Sequence, residues 1–135
     1  MTRAAMPALL KAPSGGIINM SSYLGRHGLP DCVGYVAAKF GVEGFTQGVA
    51  QEVQDTDLAV ISLAPGMVAT DMLRSYLQDD DVSSFLPPNR VGEGVARLFA
   101  GLRKAHNGMK LDLEPWLPPL NTMDSPTPLA GKAEA

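Results

Sequence analysis

Gly34-Tyr35-Val36-Ala37-Ala38-Lys39-Phe40-Gly41-Val42-Glu43-Gly44-Phe45 places a phenol and an ammonium four residues apart. That spacing predicts both side chains on one face of a helix, one turn apart. A free phenol titrates at about pH 10, too high for an efficient base near neutrality, and a neighbouring cation favours its ionised form. Tyr35 and Lys39 are therefore a candidate proton-transfer pair. Taken alone the pattern is short, and it also describes a buried Tyr next to a solvated Lys on an amphipathic helix. Its surroundings decide between the two.

Immediately upstream, Ile17 to Ser21 reads as a short apolar strand, followed by a loop from Ser22 to Asp31 with Gly25, Gly28 and Pro30. The helix carrying the pair opens at Cys32 or Val33 and closes near Gln54. Leu58 to Leu63 reads as a second, fully buried strand, ended by Ala64-Pro65-Gly66. Farther out, Thr2 to Lys11 has helical composition with Pro7 inside it, and Pro13-Ser14-Gly15-Gly16 breaks it. Thr70 is a fitting N-cap for a short helix to Leu77. Asp79, Asp80, Asp81, Pro87 and Pro88 read as surface loop. A third helix is expected from Gly92 to Lys104, with Val95, Leu98, Phe99 and Leu102 at core spacing, and a last strand from Met109 to Leu113. Glu114 to Ala135, rich in Pro, Ser and Thr, is expected to be an unstructured tail, which divides the chain into 1–113 and 114–135. Alternating helices and strands argue for an α/β fold with a parallel sheet. Three strands are few for such a sheet and suggest part of a domain.

Composition sets outer bounds. The 135 residues suit one domain, with 45% hydrophobic and 19% charged residues. A formal net charge of −3 gives no basic footprint for nucleic acid. The longest apolar run, Leu58 to Ala69, is too short to span a bilayer, so no membrane partner is expected. Cys32 is the single cysteine, which offers no internal disulfide or zinc cluster and fits a reducing, cytoplasmic setting. The stretch before Asp31 has no acidic residue, a pattern shared with organelle transit peptides; a helix leading into a strand is the preferred reading. His27 and His106 lack companion ligands and read as loop histidines, so no metal is expected.

Ser22 stands thirteen positions before Tyr35, just after a strand. Ligands of open α/β sheets bind outside the carboxyl ends of the strands, and a hydroxyl there can donate to a substrate oxygen that gains negative charge. Ser22, Tyr35 and Lys39 are the candidate catalytic set.

Three stretches, Gly16-Ile17-Ile18-Asn19-Met20-Ser21-Ser22, Tyr35-Val36-Ala37-Ala38-Lys39 and Ala64-Pro65-Gly66-Met67-Val68-Ala69-Thr70, together resemble the short-chain dehydrogenase/reductase family. The resemblance covers residues 2 to 113. It implies a Rossmann-like doubly wound parallel sheet, here partial, and an NAD- or NADP-dependent oxidoreductase acting on a small ketone, aldehyde or secondary alcohol. It implies Tyr35 as general acid/base, Lys39 as the holder of the nicotinamide ribose hydroxyls, and Ser22, rather than the neighbouring Ser21, as the residue that polarises the substrate oxygen. Pro65, Gly66, Val68 and Thr70, with Tyr35 and Lys39, match the cofactor-binding positions. Met67, Leu73 and Tyr76 fall where the family lines its substrate pocket. A homo-oligomer is a further family expectation.

The family's Gly-rich phosphate turn does not occur here. Gly92-Glu93-Gly94 comes nearest, but Arg97 takes the third glycine position, and the segment reads as a helix start. The chain thus looks like the C-terminal half of a family domain. The alternative to an active oxidoreductase is a catalytically incompetent truncated form that acts through association, and a less favoured one is an epimerase or dehydratase on the same fold. Gly41, Gly44 and Gly48 near one face of the long helix are expected to permit close backbone approach, to a strand or to a second subunit. Trp116 is expected to anchor the tail on the domain or on a partner.

Overall fold

Leu58–Ala64 forms the buried central strand, β2, and the rest of the structure is arranged on its two faces. In the computed structural model, residues 1–12, 15–78 and 81–117 are described. Gly15–Met20 is β1 and Lys110–Asp112 is β3, and both pair with β2 in parallel, giving the order β1-β2-β3. Gly15 lies opposite Leu58 and Met20 opposite Leu63, while Ser62 faces Lys110 and Ala64 faces Asp112. All strand carboxyl ends therefore lie at one edge of the sheet.

The helices are α1 (Thr2–Leu9), α2 (Val33–Glu52), α3 (Asp71–Leu77) and α4 (Pro88–Gly101). Side chains on a strand alternate between faces, and β2 sorts its residues accordingly. Ala59, Ile61 and Leu63 join Leu98 and Leu102, with Leu111, Leu113 and Trp116, in one cluster. Leu58 and Val60 join Val49, Ala50 and Val53 of α2 and its end in the other, where Met6, Leu9 and Ile17 also pack. Helices thus cover both faces, as a doubly wound sheet requires. Ser62 shares the face of Leu58 and Val60 and is the polar exception on it, fully buried. Among the described residues no helix is long and apolar enough to cross a membrane.

Several expectations need correction. Pro87 and Pro88 do not lie in a loop away from the third helix: Pro87 is the N-cap of α4 and Pro88 its first residue. Proline is suited to that position because its missing N–H has no partner there in any case. Gly94 is buried, and a Cβ on it would stand 2.8 Å from Leu113 Cδ1, so this glycine serves helix packing. Gly41, Gly44 and Gly48 instead have open space where a Cβ would be, so among the described residues no strand approaches them. Packed structure also continues past 113: Glu114–Trp116 makes a 3₁₀ turn, and Trp116 is buried in the first cluster. The tail expected beyond 117 lies outside the described residues, as do Asp79 and Asp80.

Candidate active site

Ser22 follows β1 at the carboxyl edge of the sheet. Its backbone is extended, and it caps a 3₁₀ turn over Tyr23–Gly25. The Ser22 Oγ accepts from the Leu24 N–H at 3.2 Å, and the Ser22 carbonyl accepts from Gly25 N–H at 2.9 Å. One Oγ lone pair is therefore engaged, and the hydroxyl proton has no acceptor among the described residues. Ser21 is placed differently. It is buried, its Oγ has no hydrogen-bond partner, and the Gly25 backbone closes over it.

Tyr35 lies in the first turn of α2 and is 38% exposed. Lys39, one turn on, donates from Nζ to the Met20 carbonyl at 3.0 Å and lies 5.6 Å from the centre of the Tyr35 ring. One ammonium thus touches the last residue of β1 and stands over the phenol. The structure brings the strand end that precedes Ser22 and the helix bearing Tyr35 to the same edge. No hydrogen bond joins Ser22, Tyr35 and Lys39 to one another among the described residues.

The segment after β2 borders the same edge. Gly66 has φ +80°, a left-handed conformation that favours glycine, and a Cβ there would meet nothing. Val68 makes a parallel bridge to Leu86, and Ala69 N–H donates to the Leu86 carbonyl at 2.8 Å, which pins the segment down. Thr70 caps α3 as its sequence predicts: Oγ1 accepts from Leu73 N–H at 3.3 Å and keeps its own proton to donate. Met67 is exposed beside this segment, and Leu73 is half-buried. Tyr76, on α3, reaches back to the start of α2. Its nearness to the Cys32 side chain, and then to Asp31, holds its phenol above the usual range.

The donor set at this edge fits a nicotinamide dinucleotide. The edge carries an ammonium on Lys39, a Thr70 hydroxyl whose proton has no acceptor among the described residues, and open space at Gly66, a chemistry that suits ribose hydroxyls and phosphate oxygens. Among the described residues no group of three or more His, Cys, Asp or Glu could hold a metal ion. His27 stacks on Tyr23 with ring centres 4.0 Å apart, and His106 Nδ1 accepts from Arg103 N–H at 2.9 Å.

A polar layer beneath these residues is absent from the sequence reading. Glu43 follows Lys39 by one turn and is buried, its side chain 6% exposed. One carboxylate oxygen accepts from Ser62 Oγ at 2.6 Å, and the other faces Arg26 Nε at 3.4 Å. Arg26 also reaches Asp112 Oδ1 at 3.2 Å and the Leu111 carbonyl at 3.3 Å. Asn19 of β1 donates to Thr46 Oγ1 of α2 at 3.0 Å. The signal was present: Tyr35, Lys39 and Glu43 recur every fourth residue, and a carboxylate on the face that meets a sheet requires partners.

Comparison with known proteins bears on the family and the fold. The family model for short chain dehydrogenases matches residues 1–81. A 3-oxoacyl-[acyl-carrier-protein] reductase from Synechocystis is 41% identical over 92 residues, 68% of this chain and 37% of that protein. An acetoacetyl-CoA reductase from Cupriavidus necator is 33% identical over 112 residues, 80% of this chain and 46% of that protein. A short chain dehydrogenase from Salmonella enterica superposes with a TM-score of 0.76 at 31% identity, covering 84% of this chain and 47% of the other. One from Shigella flexneri, complexed with NADP, gives 0.72 at 32% identity and the same coverage. The chain spans less than half the length of each of these proteins.

Proposed function

This chain belongs to the short-chain dehydrogenase family, and on that premise we propose that it carries the proton-transfer half of a nicotinamide-dependent oxidoreductase. The reaction interconverts a ketone or aldehyde and an alcohol. A bound NAD or NADP supplies or accepts the hydride. Lys39, Pro65, Gly66, Val68 and Thr70 are the residues that would hold it, with Tyr35 beside the nicotinamide end. In the reducing direction Tyr35 gives its phenolic proton to the carbonyl oxygen as that oxygen gains charge, so that carbonyl, hydride and proton together make one alcohol. Ser22 donates its free hydroxyl proton as a hydrogen bond to the same oxygen. The Lys39 ammonium stabilises the phenolate that is left. Met67, Leu73 and Tyr76 line the side from which substrate enters.

The observation that carries this reading is the position of Lys39 Nζ, bonded to the end of β1 and close to the Tyr35 ring. The relatives suggest 3-oxoacyl thioesters as first substrates to try. The test is to incubate the full-length protein bearing these residues with reduced NADP and a 3-oxoacyl thioester, and to follow cofactor absorbance and alcohol mass. Equimolar cofactor oxidation and 3-hydroxy product are expected. Absence of turnover across 3-oxoacyl thioesters, simple ketones and aldehydes, with reduced NAD as well as NADP, would reject the reading.

A second reading applies to the 135-residue chain taken alone. It matches under half of each relative, and β1 is an edge strand among the described residues. The isolated chain is expected to bind reduced NADP more weakly than micromolar and to act, if at all, by associating with a partner. Fluorescence titration of the purified chain checks this, and micromolar or tighter affinity would contradict it.

A further inference from the structure

We propose that Arg26 and Glu43 are positioning residues that fix the Ser22 hydroxyl against the helix bearing Tyr35 and Lys39; the proposal rests on the oxidoreductase reading above. The Ser22 loop is a rigid lever. Its 3₁₀ turn is closed by Gly25 N–H to the Ser22 carbonyl at 2.9 Å and by Arg26 N–H to the Tyr23 carbonyl at 3.0 Å. A shift of the Arg26 end is therefore passed to Ser22. The guanidinium at that end is held from two sides, by Glu43 of α2 and by Asp112 and the Leu111 carbonyl of β3. Its planar fork fixes direction as well as distance.

Glu43 provides the other half of the register. Its second oxygen takes a 2.6 Å hydrogen bond from Ser62 on the central strand. One carboxylate thus ties α2 to β2 directly and the Ser22 loop to α2 through Arg26. Tyr35 and Lys39 are two turns and one turn before Glu43 on the same helix, so the link sets Ser22 relative to both. The fit leaves little slack. A Cβ on Gly25 would stand 2.6 Å from Ser21 Oγ and 3.1 Å from the Lys39 carbonyl, so the loop backbone rests on the helix backbone.

Stability alone does not account for such a pair. Apolar residues of similar volume commonly replace a buried ion pair at no loss of stability, whereas they carry no directional bond. That difference supplies the test. Arg26→Met is made together with Glu43→Gln in one protein, removing both charges at once while leaving the buried Ser62 hydroxyl an acceptor, and Arg26→Lys is made separately, keeping charge but losing the fork. The paired replacement is expected to keep the wild-type unfolding midpoint, yet to lower kcat for carbonyl reduction about tenfold to a hundredfold, the cost of a displacement of about 1 Å at a reacting centre. KM for the cofactor should stay within about twofold, since that loss is not one of ground-state binding. Arg26→Lys, which retains a charge for Glu43, is expected to fold and to show the same kcat loss. If kcat recovers whenever stability does, the pair is only structural and the proposal fails.

An arm without turnover separates this proposal from the reading beneath it. Amide exchange at Leu24 and Gly25 should quicken in the paired variant while Ile61 and Leu98 keep their protection. Uniform change, or no change at the loop, would overturn the proposal. If the wild-type protein turns over no carbonyl, the oxidoreductase reading fails and amide exchange still decides whether Arg26 and Glu43 hold the loop.

Discussion

Tyr35→Phe is expected to lower kcat for the proposed carbonyl reduction about a thousandfold in the full-length protein, within the range that a positioned general acid supplies. The substitution removes one oxygen and keeps the ring. Tyr35 is partly exposed, and no hydrogen bond to its phenol is seen among the described residues. Loss of that oxygen should therefore change stability by less than about 0.5 kcal/mol, as surface substitutions usually do. That contrast makes the result readable. A large fall in turnover with an unchanged unfolding midpoint assigns the loss to proton transfer, because without the phenol the forming alkoxide has no acid at hand. The check is steady-state kinetics alongside a urea unfolding curve. Unchanged turnover would reject the role of Tyr35.

Arg26→Met, made singly, has the opposite signature and destabilises the fold by about 3 kcal/mol. The Glu43 carboxylate stays buried with only the Ser62 hydroxyl as partner. Breaking one side of a buried pair typically costs about 3–5 kcal/mol, because the remaining charge is uncompensated. The lower end applies because the Arg26–Glu43 separation is long, 3.4 Å, and because Asp112, the other carboxylate beside Arg26, is 63% exposed and can be hydrated. The Arg26–Asp112 contact accordingly adds little. Urea unfolding should show a lower midpoint at unchanged slope. A change below about 1 kcal/mol would mean that Glu43 is hydrated or relaxes, and that the pair is not a closed unit.

The sequence was most legible where local rules act alone. The apolar run of β2 could only be a buried strand, and Thr70 with Asp71 behind it reads as a helix start, which the structure bears out. The spacing of Ser22, Tyr35 and Lys39 was legible because a strand end and a helix face suffice to place it. What escaped depends on packing between distant segments. Glu43 takes its meaning from Ser62 and Arg26, which lie far from it along the chain. Gly94 takes its meaning from Leu113. Trp116, expected to anchor on the domain or on a partner, packs into a cluster built of β2, β3 and α4. For the glycines of α2, expected to permit approach of a strand or of a second subunit, no neighbour lies within reach among the described residues of this chain. Pro88 was missed for a local reason, because a proline that opens a helix looks in sequence like one that prevents it.

In the proposed mechanism Ser22 and Tyr35 act as one unit on one substrate oxygen, and Lys39 stabilises the Tyr35 phenolate. Groups that act together are strongly non-additive, since losing one disables the others. The most direct measurement is a double-mutant cycle in kcat, with Ser22→Ala and Tyr35→Phe made singly and together. The double variant is expected to be about as slow as the slower single variant. Losses that simply multiply would show two independent residues and would contradict it.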